Sequence, residues 1–264
     1  MVAETGSFAS ASGEDAFYRV WRASAPRAAL LLVHGLGEHS GRYDHVGQYL
    51  AERGVSVYAL DHQGHGRSGG PRGTVSDFNV FLDDLANFDA YMRIENEGRQ
   101  NFMLGHSMGG LIAVAYLLER PLKPDHVILS GPALVPILDP DAPPIDPTRL
   151  SRDPLVQEAY LADPLILRER VQQEIYVKLA DGIATVYGRA SEISVPLLLI
   201  HGTADALCSW EGAKEYVEAS SSSDTTFLLY EDGRHESLNE INREQVLADL
   251  WEWIEPRCSA DSAD

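Results

Sequence analysis

The chain has 264 residues, 44% hydrophobic and 23% charged, a balance that suits one large packed α/β domain with room for an insertion and argues against disorder. Forty acidic against 21 basic residues leave a formal net charge of −19, which repels phosphate backbones and anionic headgroups. Nucleic acid is therefore excluded as the main partner, and any lipid contact is expected to be local and apolar.

Two cysteines, Cys208 and Cys258, are too few for a disulfide scaffold. Residues 1–12 are small and polar, without the basic and apolar regions of a signal peptide, and no apolar run approaches the ~20 residues needed to span a bilayer. The expected location is the cytoplasm.

The first element, 14–22, alternates polar and apolar residues and reads as an edge strand. Ala28–Val33 and Val55–Leu60 follow as continuous apolar runs, and 102–104, 127–129, 197–200 and 227–230 repeat the pattern, each closed by Gly or polar residues. Runs apolar on both faces read as buried parallel strands. Between them the period becomes helical: Phe78, Phe81, Leu82, Leu85, Phe88 and Met92 form one stripe, residues 110–120 a second helix, and Val246, Leu247, Leu250, Trp253 and Ile254 another stripe. This order predicts a mostly parallel central sheet flanked by helices, with chemistry gathered beyond the carboxyl ends of the strands. One segment breaks the alternation. Residues 132–194 begin rich in Pro and Asp, then carry loosely helical patterns at 155–161 and 165–179. They lie between two core strands, so the expected organisation is a core of 1–131 and 195–264 with 132–194 inserted as a short cap.

Gly105-His106-Ser107-Met108-Gly109 fits the Gly-x-Ser-x-Gly elbow, after a strand and before a helix. A sharp turn there projects the serine from the sheet, small neighbours let strand and helix pass closely, and the helix offers its first amides to developing negative charge. His34-Gly35-Leu36-Gly37 follows the Ala28–Val33 strand, where a fold built on this elbow takes one oxyanion amide; Leu36 and Met108 are the expected donors. A Ser hydroxyl needs a base, and the base an orienting carboxylate. Asp205 and His235 lie after consecutive strands in the order Ser, acid, His. Ser107, Asp205 and His235 are thus the candidate catalytic residues. His62 and His65 do not match a zinc spacing, so no metal and no cofactor are expected. His106 is expected to pack, and Cys208, three residues after Asp205, to be a buried thiol near the site.

These stretches resemble the monoacylglycerol lipases and related lysophospholipase-like hydrolases. The likeness runs from His34-Gly35-Leu36-Gly37-Glu38-His39-Ser40-Gly41-Arg42-Tyr43 through Asp61-His62-Gln63-Gly64-His65-Gly66-Arg67-Ser68 and the elbow to Leu150-Ser151-Arg152-Asp153-Pro154, Tyr160-Leu161-Ala162-Asp163-Pro164-Leu165 and His201-Gly202-Thr203-Ala204-Asp205, nearly the whole chain. The resemblance implies an α/β-hydrolase fold and hydrolysis of one acyl chain from glycerol or a similar small alcohol. A broader carboxylesterase and a lysophospholipase are the alternatives. It further implies that Glu38 and Arg42 hold the polar end of a small lipid ester. An ester with one long acyl chain also needs an apolar groove, and the cap residues Leu155, Tyr160, Leu161, Leu165 and Ile166 are expected to line it. Two departures stand out. The segment after 132–136 is short and rich in Asp and Pro where the family carries another apolar helix, which limits any membrane contact to a transient one through the cap. Leu238 stands where some members have a polar residue.

Overall fold

The computed structural model describes residues 2–135, 144–168 and 173–258. Its centre is an eight-stranded sheet: β1 (Glu4–Ala9), β2 (Asp15–Trp21), β3 (Ala28–Val33), β4 (Val55–Leu60), β5 (Gln100–His106), β6 (His126–Ser130), β7 (Leu197–Gly202) and β8 (Thr225–Tyr230), in the order β1-β2-β4-β3-β5-β6-β7-β8. β1 and β2 are antiparallel to their neighbours; every pair from β4 to β8 is parallel.

β3, β4 and β7 are buried at every residue, which is why their sequences are apolar without alternation. Ala29, Leu31 and Val33 face one apolar cluster, with side chains from α2 (Phe78–Glu95), α3 (Met108–Glu119), α5 (Gln173–Val186) and α6 (Trp210–Glu218). Ala28, Leu30 and Leu32 face the other, with α1 (Asp44–Ala51) and α7 (Arg243–Ile254). Each fully buried Leu contributes roughly 1.5–3 kcal/mol relative to exposure. No described helix is long and apolar enough to cross a membrane.

The expectation of an edge strand at 14–22 is corrected. β2 is paired on both sides, and β1 forms the edge through a hairpin that pairs Ala9 with Asp15. β1 is mostly exposed, and Phe8 anchors it by stacking on Phe88 at 5.8 Å, a contact 80 positions away that local pattern does not display.

β3 lies between β4 and β5, so chain order reverses there and the loops after β3 and β5 diverge over a crevice. The excursion after β6 crosses that crevice. It contains α4 (Pro154–Ala162), capped by Asp153, which accepts from Leu155 N at 2.9 Å, with Pro154 in the first turn. The helical pattern expected at 165–179 is corrected: residues 165–168 are not helical, and the described residues of α5 are Gln173–Val186. Ile175, Leu179 and Val186 join the sheet's apolar cluster, and Gly182 lets Phe78 approach to 2.5 Å of where a Cβ would stand. Of the segment 137–146 discussed above, residues 137–143 fall outside the described residues.

Candidate active site

Ser107 makes the turn between β5 and α3 alone, at φ 52° and ψ −119°, a conformation non-glycine residues rarely adopt. Neighbouring backbone holds it there: Ser107 N donates to Ser130 O at 3.0 Å, while Gly110 N and Ala133 N donate to Ser107 O at 2.9 and 3.0 Å. The two glycines of the motif are required by space. A Cβ on Gly109 would sit 2.0 Å from Val33 O, and one on Gly105 2.4 Å from Gly109 O. Any side chain at either position would push helix from sheet and lower the serine.

The loops after β7 and β8 bring Asp205 and His235 together. His235 Nδ1–H donates to Asp205 Oδ2 at 2.8 Å, with both side chains almost wholly buried. The backbone amides of Leu207 and Cys208 donate to the other oxygen, Oδ1, at 2.8 and 3.1 Å. Burial opposes charge on Asp205, but His235 and the donors around it prevail and hold the carboxyl well below its ordinary range. The same pairing lifts His235 above its ordinary value, against a burial that lowers it. Among the described residues no hydrogen bond joins the Ser107 hydroxyl to His235; the Cys208 thiol lines the same cavity, and burial suppresses its ionisation.

The loop after β3 is built around a buried ion cluster. Glu38 Oε1 accepts from Gly35 N at 2.6 Å and Tyr43 Oη at 2.7 Å. Its Oε2 accepts from Arg42 Nη1 at 2.9 Å, and Arg42 grips Glu236 with two bonds of 2.6 and 2.8 Å. Burial alone would raise the Glu38 pKa, but Arg42, helped by His106 and His34, brings it down to about 2. Glu38 thereby pins the amide next to Leu36. Met108 opens α3, where the first amides have no partner inside the helix. The loop's far side rests on Asp61, which accepts from Ser40 N, Ser40 Oγ and Arg67 N at 2.8, 2.6 and 2.8 Å. The Asp61–Ser68 motif is thus scaffolding: His62 and His65 pack with His34, the His34–His62 centroids 4.2 Å apart, and His62 N donates to His34 Nε2 at 3.0 Å. Among the described residues no group of three or more His, Cys, Asp or Glu is arranged to hold a metal ion.

Above Ser107 lies a cavity of about 400 Å³ lined at the polar end by Glu38, Arg42, His106, His235 and Glu236 and elsewhere by largely apolar side chains including Leu36, Ile145, Leu150, Tyr160, Tyr176, Leu179 and Leu207. The excursion is fastened over it by specific bonds. Leu167 N donates to Gly37 O at 2.9 Å, Glu236 N to Leu150 O at 2.8 Å, His39 Nε2 to Asp163 Oδ2 at 2.8 Å and Arg243 to Asp153 at 2.6 Å. These bonds explain the Leu-Ser-Arg-Asp-Pro and Asp163 positions of the sequence.

Of the residues singled out from sequence, Ser107, His235, Leu36, Met108, Glu38 and Arg42 all line this one cavity, and Asp205 lies beneath it holding His235. Of the cap residues, Tyr160 lines it, while Leu155, Leu161, Leu165 and Ile166 do not. Leu161 is 45% exposed, because the helix turns Tyr160 inward and its neighbour outward; Ile166 is buried behind the wall, packed with Leu150 and Tyr160. Leu238 also points away, into the core beside α1 and α7. Glu236 was missed. Its adjacency to His235 was visible, but its partner Arg42 lies 194 positions away. Ile145, Arg149, Tyr176 and Leu179 were missed as well; all four belong to the segment between β6 and β7 and line the cavity.

Strand order, reversal point and elbow are those of an α/β-hydrolase. Residues 24–242 match the family model described as "Serine aminopeptidase, S33", and the chain belongs to that family. It is 35% identical to a monoacylglycerol lipase of Mycolicibacterium smegmatis, over 94% of this chain and 95% of that one. It is 33% identical to the human monoglyceride lipase, over 94% and 89%. The solved monoacylglycerol lipase of Paleococcus ferrophilus superposes with a TM-score of 0.78 at 29% identity, covering 96% of this chain and 98% of that chain. The resemblance drawn from the motifs is borne out.

Proposed function

We propose that the chain is a serine ester hydrolase that cleaves monoacylglycerols into fatty acid and glycerol through an acyl-enzyme on Ser107. The observation that carries this reading is the 2.8 Å bond from His235 Nδ1 to Asp205 Oδ2 beside a serine raised on a strained turn in the same cavity. Ser107 Oγ attacks the ester carbonyl while His235 Nε2 takes its proton. The amides of Leu36 and Met108 stabilise the oxyanion, and collapse releases the alcohol with the proton from His235. A water, activated by the same histidine, then frees the fatty acid. Glu38, Arg42 and Glu236 form the polar end that takes the alcohol's hydroxyl groups; Leu150, Tyr160, Leu179 and Leu207 take the acyl chain, and Ile166 supports that wall from behind. Leu155 and Leu161, exposed on α4, are the place for a transient lipid contact.

The relatives' names support the ester over the amide suggested by the family's description. So does the charge cluster: an aminopeptidase needs a carboxylate free for the substrate's ammonium, and here Glu38 and Glu236 are both engaged by Arg42. The cavity volume favours short to medium acyl chains, and so keeps a carboxylesterase for short esters as the second reading.

The test is a chain-length series on monoacylglycerols, with triacylglycerol, simple aryl esters and an aminoacyl anilide alongside. Each buried methylene adds about 0.8 kcal/mol, roughly fourfold in kcat/KM, until the cavity is full. Rates are expected to climb and then level off at short to medium chains, with triacylglycerol and anilide poor. Preference for long-chain triacylglycerol or for the anilide overturns the proposal.

A further inference from the structure

The carboxylate that orients His235 has a second imidazole on it. His201, at the end of β7, is fully buried, and its Nε2 lies 3.0 Å from Asp205 Oδ2 and 3.2 Å from Cys208 O. Both neighbours are acceptors, so Nε2 carries the proton; Nδ1 has no hydrogen-bond partner among the described residues. The oxygen that receives it is the same one that receives His235 Nδ1–H at 2.8 Å. Asp205 therefore takes four donors: two imidazoles on Oδ2 and the amides of Leu207 and Cys208 on Oδ1.

We infer that His201 is a positioning residue for the reaction, sharing Asp205 Oδ2 with His235 so that it fixes the carboxylate and draws off part of the charge that makes His235 basic. The inference rests on the proposed roles of Ser107, His235 and Asp205. The amides of Leu207 and Cys208 hold Oδ1, while Oδ2 is held, besides His235, by His201 among the described residues. A hydrogen bond to a carboxylate lowers its proton affinity and so lessens its pull on a second donor. The other charged or titratable groups facing His235 come from the remaining loops. They are His106, with its ring 4.8 Å away, Glu38 and Arg42 after β3, Glu236 next in the chain, the Cys208 thiol, and Arg149 of the excursion. None of these touches Asp205 Oδ2 with a hydrogen bond.

The experiment compares His201→Phe, His201→Asn and His201→Gln with the unaltered chain, reading kcat, KM and the pH profile of kcat/KM. Gln places an amide N–H near the position of Nε2; Asn is too short to reach and remains available if Phe does not fold. Phe or Asn is expected to lower kcat by roughly 10- to 100-fold, with KM little changed, because the base is no longer held in line. The acid limb is expected to move up by roughly half a unit to one unit, the worth of one hydrogen bond on the carboxylate. Gln is expected to restore both. A loss of thermal stability with kcat and acid limb unmoved, or a Gln variant as impaired as Asn, overturns the inference. Asp205→Asn and Ser107→Ala run alongside separate this from the wider reading. If those two stay active, the site itself has been misassigned; if they are dead while His201→Asn behaves as the unaltered chain, only His201 has.

Discussion

Arg42 and Glu236, 194 positions apart, are joined by two parallel hydrogen bonds of 2.6 and 2.8 Å inside the cavity wall. The pair ties the loop after β3, which carries Leu36, to the loop after β8, which carries His235. A guanidinium between two carboxylates, Glu38 on one side and Glu236 on the other, makes the spacing of oxyanion amide and base a property of one rigid cluster.

Removing the cation from this cluster leaves two buried carboxylates facing each other. Arg42→Leu is expected to destabilise the fold by about 3–5 kcal/mol. Arg42→Lys should rescue only part of the loss, because one ammonium cannot make the paired contacts. Urea unfolding midpoints at neutral pH measure both. A Leu variant as stable as the unaltered chain would show that the cluster does not bind the two loops.

Ser107→Ala is expected to lower kcat by roughly 10⁴-fold or more without changing the thermal midpoint, since the hydroxyl makes no structural bond that the backbone does not supply. A fluorophosphonate should modify Ser107, located by peptide mass spectrometry. An adduct on Cys208, which lies beside it, would transfer the nucleophile's role to the thiol.

His235 accepts a proton only when neutral, and its pairing with Asp205 lifts its pKa above the ordinary 6.5. Activity should therefore rise with pH along an acid limb centred above 6.5 in kcat/KM, the quantity that reports the free enzyme. Asp205→Asn should lower kcat by roughly 10⁴-fold. A limb centred below 6.5 in the unaltered chain contradicts the pairing.

Acid should weaken the fold through the other buried imidazoles. Burial lowers His62 and His34, takes His106 to about 4 and takes His65 to about 3, while the unfolded chain titrates near 6.5. Below pH 6.5 the unfolded state then binds more protons than the folded one at these positions. Their contribution is complete above pH 6.5 and lost progressively as pH falls towards 4 and 3. His235, shifted the other way, adds stability in acid and offsets one of them. Urea midpoints between pH 7 and 4 should fall steadily, and less steeply in His65→Gln. Equal slopes for the two proteins would remove His65 from the account.

The core was legible because β3, β4 and β7 are buried on both faces and so carry apolar runs that no other element would tolerate. The elbow was legible because its demands are local: a serine at positive φ and glycines where strand and helix touch. β1 was not, because Phe8 is its single apolar anchor and the anchoring partner, Phe88, lies on a helix far along the chain. The helical reading of 165–168 failed because Ile166 and Leu167 are apolar for another reason: Ile166 packs behind the cavity wall and the Leu167 side chain is fully buried.

By itself the amino-acid order determined the buried strands of the sheet, the turn that lifts Ser107, and the placing of Asp205 and His235 after consecutive strands, since each depends on residues within a few positions of one another. Only the tertiary structure decided which groups share a charge, Arg42 with Glu236 and both His201 and His235 with one oxygen of Asp205, and which of the expected cap residues, Tyr160 alone, faces the cavity. Hydrogen bonds and ion pairs act over about 3 Å and have no periodicity along the chain, so their partners are settled where loops from distant strands converge.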